Sequence, residues 1–150
     1  MFTRINLSFQ RFPSLELRER GILVDFIRLL GRVEFEIEAG WSKPHLAILD
    51  TGAPMCLLPL DRWQECKIEL LTEGYPLRGV VPKEECTLPV KIGKIALRLV
   101  DEKLVGKKFE AEAYLAPTNE VPLVIGFHRC LERYRVVFDY ERGFAYVEER

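Results

Sequence analysis

Val33-Glu34-Phe35-Glu36-Ile37-Glu38 alternates apolar and acidic residues without a break. A period of two sends every apolar side chain to one face, so this segment predicts a strand with one side buried. Phe109 to Leu115 alternates apolar with acidic in the same way. Ile22 to Leu30, His45 to Leu49, Cys56-Leu57-Leu58 and Leu123-Val124-Ile125 are short apolar or β-branched runs and read as further strands. Gly31-Arg32 reads as the hairpin turn between the first two strands, and Ala39 to Pro44 as a second turn cluster. Leu88 to Gly93 and Ile95 to Val100 read as a strand, a turn and a strand. Arg135 to Tyr140 and Gly143 to Val147 read as strands around an Asp-x-x-x-Gly turn. Pro59 to Gln64 is expected to make one helical turn. The one convincing helix is His128 to Tyr134, near the C-terminus. So many short strands with so little helix predict an all-β barrel or sandwich.

At 150 residues the chain reads as one domain, 1–150. A chain of that size buries roughly 70% of the surface its unfolded form exposes, enough for its own core. Net charge is −1 and the basic and acidic residues are interspersed, which gives no electrostatic footprint for nucleic acid or an anionic membrane. No secretory leader and no membrane span is read in the sequence, so a cytoplasmic, soluble protein is expected. Cys56, Cys66, Cys86 and Cys130 form no Cys-x-x-Cys pair and match no common zinc spacing. They are expected to be reduced structural cysteines, with no metal site.

Asp50-Thr51-Gly52-Ala53 carries the chemistry. It occurs once, between Leu46-Ala47-Ile48-Leu49 and Met55-Cys56-Leu57-Leu58. An ionisable carboxyl is thereby set in a tight turn between two segments that favour burial, whereas ordinary surface turns sit among polar residues. No phosphate loop, nucleophile elbow, His-Glu-x-x-His helix or dinucleotide fingerprint is present.

Together with Pro122-Leu123-Val124-Ile125-Gly126, the segment Ala47 to Ala53 resembles the two motifs of the retropepsin-like aspartic proteases. The resemblance implies a closed or partly open β-barrel of the retropepsin type, with one short helix near the C-terminus. It implies an aspartic endopeptidase that works as a homodimer on a peptide or protein substrate, without metal or other cofactor. Asp50 of each copy would supply one carboxyl group. Two such groups at hydrogen-bond distance share a proton, so one activates a water and the other protonates the scissile carbonyl.

Gly52 lets the backbone approach the carboxylate and offers its N–H. Thr51 occupies the family position whose hydroxyl bonds across the two-fold axis, and Ala53 is small where packing is tight. Val124, Ile125 and Gly126 would form the strand passing beside the catalytic turn. The stretch Glu73 to Pro82 is the flap candidate, with Tyr75 and Gly79 in it. Leu57, Val80 and Val124 are candidate subsite residues, and Trp63 is assigned to the core or a subsite wall. The terminal segments, Phe2 to Phe12 and Phe144 to Glu148, are expected to pair between subunits.

Two positions depart from the retroviral pattern. Pro54 and Phe127 stand where some members carry a mutually dependent Asp and Arg, and the two are expected to pack together instead. A rival reading keeps the fold as a catalytically silent dimerisation or peptide-binding module.

Overall fold

In the computed structural model, which describes residues 3–79 and 87–150, the alternating segment lies inside a 13-residue strand. The elements in chain order are β1 (Thr3–Pro13), α1 (Leu15–Glu19), β2 (Asp25–Ile37), β3 (Gly40–Trp41), β4 (His45–Leu49), β5 (Cys56–Leu58), α2 (Leu60–Trp63), β6 (Glu69–Leu77), β7 (Leu88–Val100), β8 (Phe109–Leu115), β9 (Val124–Ile125), β10 (Arg135–Asp139) and β11 (Phe144–Glu149). The chain is thus mostly strand with few helices, as the patterning predicts.

The strands pair in the order β10-β11-β1-β2-β4-β9-β5-β8-β7-β6. β2 also pairs with β7, from Arg32 opposite Val100 to Phe35 opposite Leu97. The ladder therefore returns on itself through six strands, and the main core fills the space they enclose. Val33, Phe35, Leu97, Leu99, Leu58 and Ile125 are buried there. Each such side chain contributes roughly 1.5–3 kcal/mol relative to leaving it in water. Glu34, on the opposite face of β2, accepts from Arg98 Nε at 2.8 Å.

Gly31-Arg32 is not a turn, and β2 runs straight through it. A Cβ on Gly31 would lie 2.9 Å from Leu49 Cδ1 and 3.0 Å from Leu7 Cδ2, so glycine here lets three strands cross closely. β7 likewise runs unbroken through Gly93, where a Cβ would lie 2.7 Å from Ile68 Cγ2. The two strands expected in that region are one.

The helices also differ from expectation. Between His128 and Tyr134 only Leu131–Arg133 is helical, as a single 3-10 turn. Arg129 adopts φ +54° and Cys130 φ −125°, so no α-helix propagates from His128. The α-helical turn at Pro59 to Gln64 is present as α2. The other α-helix, α1, follows Ser14, whose Oγ accepts from Leu17 N at 3.3 Å as an N-cap.

The termini pair within the chain. β1 lies antiparallel to β11, Thr3 opposite Glu149 to Leu7 opposite Ala145, and β11 pairs on its other side with β10. The expected pairing of these segments between subunits is replaced by a three-stranded sheet inside one chain. Arg4 Nε reaches the buried Glu148 carboxylate at 3.2 Å, fixing its register.

Candidate active site

β4 and β9 run parallel, Ile48 opposite Val124 and Leu49 opposite Ile125. Ile48 N donates to Leu123 O and Asp50 N to Ile125 O, both at 3.0 Å. The ladder ends there, and the chain turns. Asp50 Oδ1 accepts the Gly52 N–H at 2.8 Å, and Ala53 N donates to Asp50 O at 3.2 Å. Leu49 and Ile125 are buried while Asp50, Thr51 and Gly52 are exposed. The turn thus presents its carboxyl group from a rigid apolar base.

Gly126 fixes the second motif against the first. A Cβ on Gly126 would lie 2.3 Å from Met55 O and 2.9 Å from Ala53 O. Directly beyond it, Phe127 N donates to Ala53 O at 2.8 Å and His128 N to Pro54 O at 2.9 Å. Backbone bonds therefore bind the departing strand to the segment after the turn. The Phe127 side chain remains exposed.

Asp50 opens on a cleft of ≈ 410 Å³ walled by Leu57, Leu77, Tyr114 and Val124, with Arg78 and Gly79 also on its lining. Among the described residues Asp50 is the sole carboxylate lining it, and Arg78 the sole cation. The walls belong to a second apolar cluster, which includes Leu57, Val90, Tyr114, Val121 and Val124. Tyr75 stacks on Tyr114, ring centroids 5.8 Å apart with planes at 16°. Burial holds the Tyr114 hydroxyl above its ordinary pKa, and Tyr75 adds to that.

Of the sequence candidates, Asp50, Gly52, Ala53 and Val124 border this cleft, as do Leu57 and Gly79. Glu73 to Leu77 is not a loop but part of β6, with Tyr75 opposite Val90 on β7. Gly79 adopts φ +81° at the end of the described stretch. Val80 to Pro82, the remainder of the flap candidate, lies outside the described residues. Trp63 packs against the main core and donates its Nε1–H to Ala116 O at 2.7 Å. Tyr114 and Leu77 were not singled out in the sequence. The alternation of Phe109 to Leu115 carries a signal for Tyr114, because its parity opposes that of the core-facing Ala111 and Ala113.

Among the described residues, no group of three or more His, Cys, Asp or Glu side chains is arranged to hold a metal ion. No helix there is long and apolar enough to cross a membrane.

No family model matches the sequence, and no curated protein matches it. Among solved structures, the chain is similar to a retropepsin-like aspartic protease from Rickettsia conorii. The identity is 12%, the match covers 99% of this chain and 96% of that one, and the TM-score is 0.47. Likeness at that level carries nothing about the chemistry of the site.

Proposed function

We propose that residues 1–150 form one retropepsin-type β-barrel domain, an aspartic endopeptidase that is complete only as a homodimer. The observation that carries this reading is the Asp50 carboxylate, exposed on a braced turn at the mouth of an apolar cleft and the sole carboxylate lining it among the described residues. A second Asp50, brought up by a two-fold axis, would complete the pair. The two carboxyl groups would then hold one proton between them and titrate as a unit. A water between them loses a proton to one carboxylate as it attacks the peptide carbonyl. The other carboxyl group protonates the carbonyl oxygen.

Thr51 stands beside the carboxylate, where its hydroxyl would bond across the axis. Gly52 holds the carboxylate in orientation through its N–H. Leu57 and Val124 would receive apolar substrate side chains, and the β6–β7 hairpin would cover them. The test is cleavage of a denatured protein by the purified chain, compared with Asp50→Asn. Loss of cleavage in the variant supports the assignment, and equal cleavage by both overturns it. A wild type that dimerises but cleaves nothing leaves the silent-module reading standing.

A further inference from the structure

The N-terminal ribbon is built as though something else should cover it. Ser8–Pro13 of β1 pairs with Asp25–Leu30 of β2, and α1 closes the far end. β4 joins β2 only from Leu30 to Val33, so Asp25 to Leu29 keeps one open edge. A ribbon of two strands is marginally stable by itself in water. Several of its apolar residues are nonetheless turned outward. Leu23 is 80% exposed, Leu15 68%, Phe26 49% and Ile27 40%. Helix α1 buries none of its residues.

Register gives the ribbon its direction. Leu30 lies opposite Ile48 in an antiparallel pair. Asp50 directly follows β4, beyond the end of this ladder. Past that same end the ribbon continues from Leu30 to Asp25, roughly 17 Å at ~3.3 Å per residue, with α1 beyond. The ribbon and the Asp50 turn therefore leave the β2–β4 ladder at the same end. Three of its charges are already engaged within it. Arg11 pairs with Asp25 at 2.5 Å, and the Arg28 guanidinium lies 4.8 Å from the Phe12 ring centroid. Glu16, Arg18, Glu19 and Arg20 are exposed on and beside α1, and Leu15, Ile22, Leu23, Phe26 and Ile27 form the apolar part of the outward surface.

We infer that Ser8–Leu30 is a clasp for a second copy of this chain, each copy's ribbon lying against the other beside the paired Asp50 turns. This rests on the two-copy site proposed above, which requires a neighbour on that side. The contact is isologous, so one substitution alters it twice.

The test uses the full chain in sedimentation across a dilution series. It compares wild type, Leu23→Glu, Ile27→Glu and Asp50→Asn, with circular dichroism to confirm the fold of each. Either ribbon variant should raise the dimer dissociation constant about a hundredfold, because two apolar contacts are lost and two charges desolvated. Asp50→Asn should dimerise like wild type. Folded ribbon variants with an unchanged dissociation constant overturn the clasp. So does ribbon-dependent binding to phosphatidylcholine or phosphatidylglycerol vesicles with dimerisation unaffected. A wild type that stays monomeric at every concentration overturns both the clasp and the two-copy site. A dimeric wild type without proteolysis overturns the protease reading alone, and the ribbon variants still decide the clasp.

Discussion

Gly126 passes so close to Met55 that a single added carbon would lie 2.3 Å from the Met55 carbonyl oxygen. Both partners are backbone at that point, so neither yields by changing rotamer. Gly126→Ala should therefore destabilise the fold by about 1–3 kcal/mol, the usual cost of overpacking, or more. Urea unfolding of the variant beside wild type measures it. The same variant should shift the Asp50 turn and reduce cleavage even where the fold survives.

Asp50→Asn separates chemistry from structure. The amide oxygen still accepts the Gly52 N–H, so the turn keeps its bond and the unfolding midpoint should stay near that of wild type. Cleavage should fall by at least about 10²–10⁴, the range ascribed to general acid–base catalysis. Asp50→Ala removes the acceptor as well, and should lower both the midpoint and the activity.

Arg78 is the sole cation lining the cleft among the described residues, and on the proposed function it should set a charge preference there. Peptides carrying an acidic residue near the scissile bond should be cleaved with a lower KM than their lysine counterparts. Arg78→Glu should reverse the order and leave kcat on uncharged peptides little changed. A peptide series differing at one position reads this directly.

His45 makes the stability depend on pH in a definite direction. It is buried beside Phe35, and burial first, then the charge of Arg62, lower its pKa below 6.5. The unfolded chain thus takes up a proton before the folded one does. The contribution is fully present above about pH 6.5 and is lost as the pH falls through and below that value. Urea midpoints at pH 7.5 and 5.5 should show this loss, and His45→Gln should reduce it.

Cys66 should resist alkylation in the native protein. Its Sγ–H donates to Arg62 O at 3.1 Å, and burial pushes the thiol up to about 12. Cys130, buried against Cys56, is also raised. Peptide mapping after iodoacetamide treatment should find Cys66 and Cys130 modified only once denaturant is present.

The Asp50 turn was legible because its chemistry is local. Four residues between apolar runs specify a turn, an acceptor and a donor. Gly126 was legible only through the resemblance of Pro122 to Gly126, since Met55 and Ala53, which it packs against, are distant in sequence. Gly31 and Gly93 misled because a glycine that permits a turn and a glycine that permits strands to cross look alike in one dimension. Only Leu49, Leu7 and Ile68, distant in sequence, decide between them. The helix at His128 failed through the left-handed backbone of Arg129, which no side-chain pattern announces. Helix α1 was missed although Ser14 carried a capping signal, since its five residues show no apolar periodicity.

The pairing of Thr3 with Glu149 has a consequence for how the molecule is made. β1 waits for β11, and the long stretch between Thr3 and Glu149 must be closed as a loop before their ladder forms. Closure over such a length is entropically costly and slow. During synthesis β1 is therefore held only by its Ser8–Pro13 half, through the hairpin with β2. The Thr3–Leu7 half remains an unpaired edge until β11 is available to pair with it. A chain truncated before Phe144 would therefore expose that edge permanently.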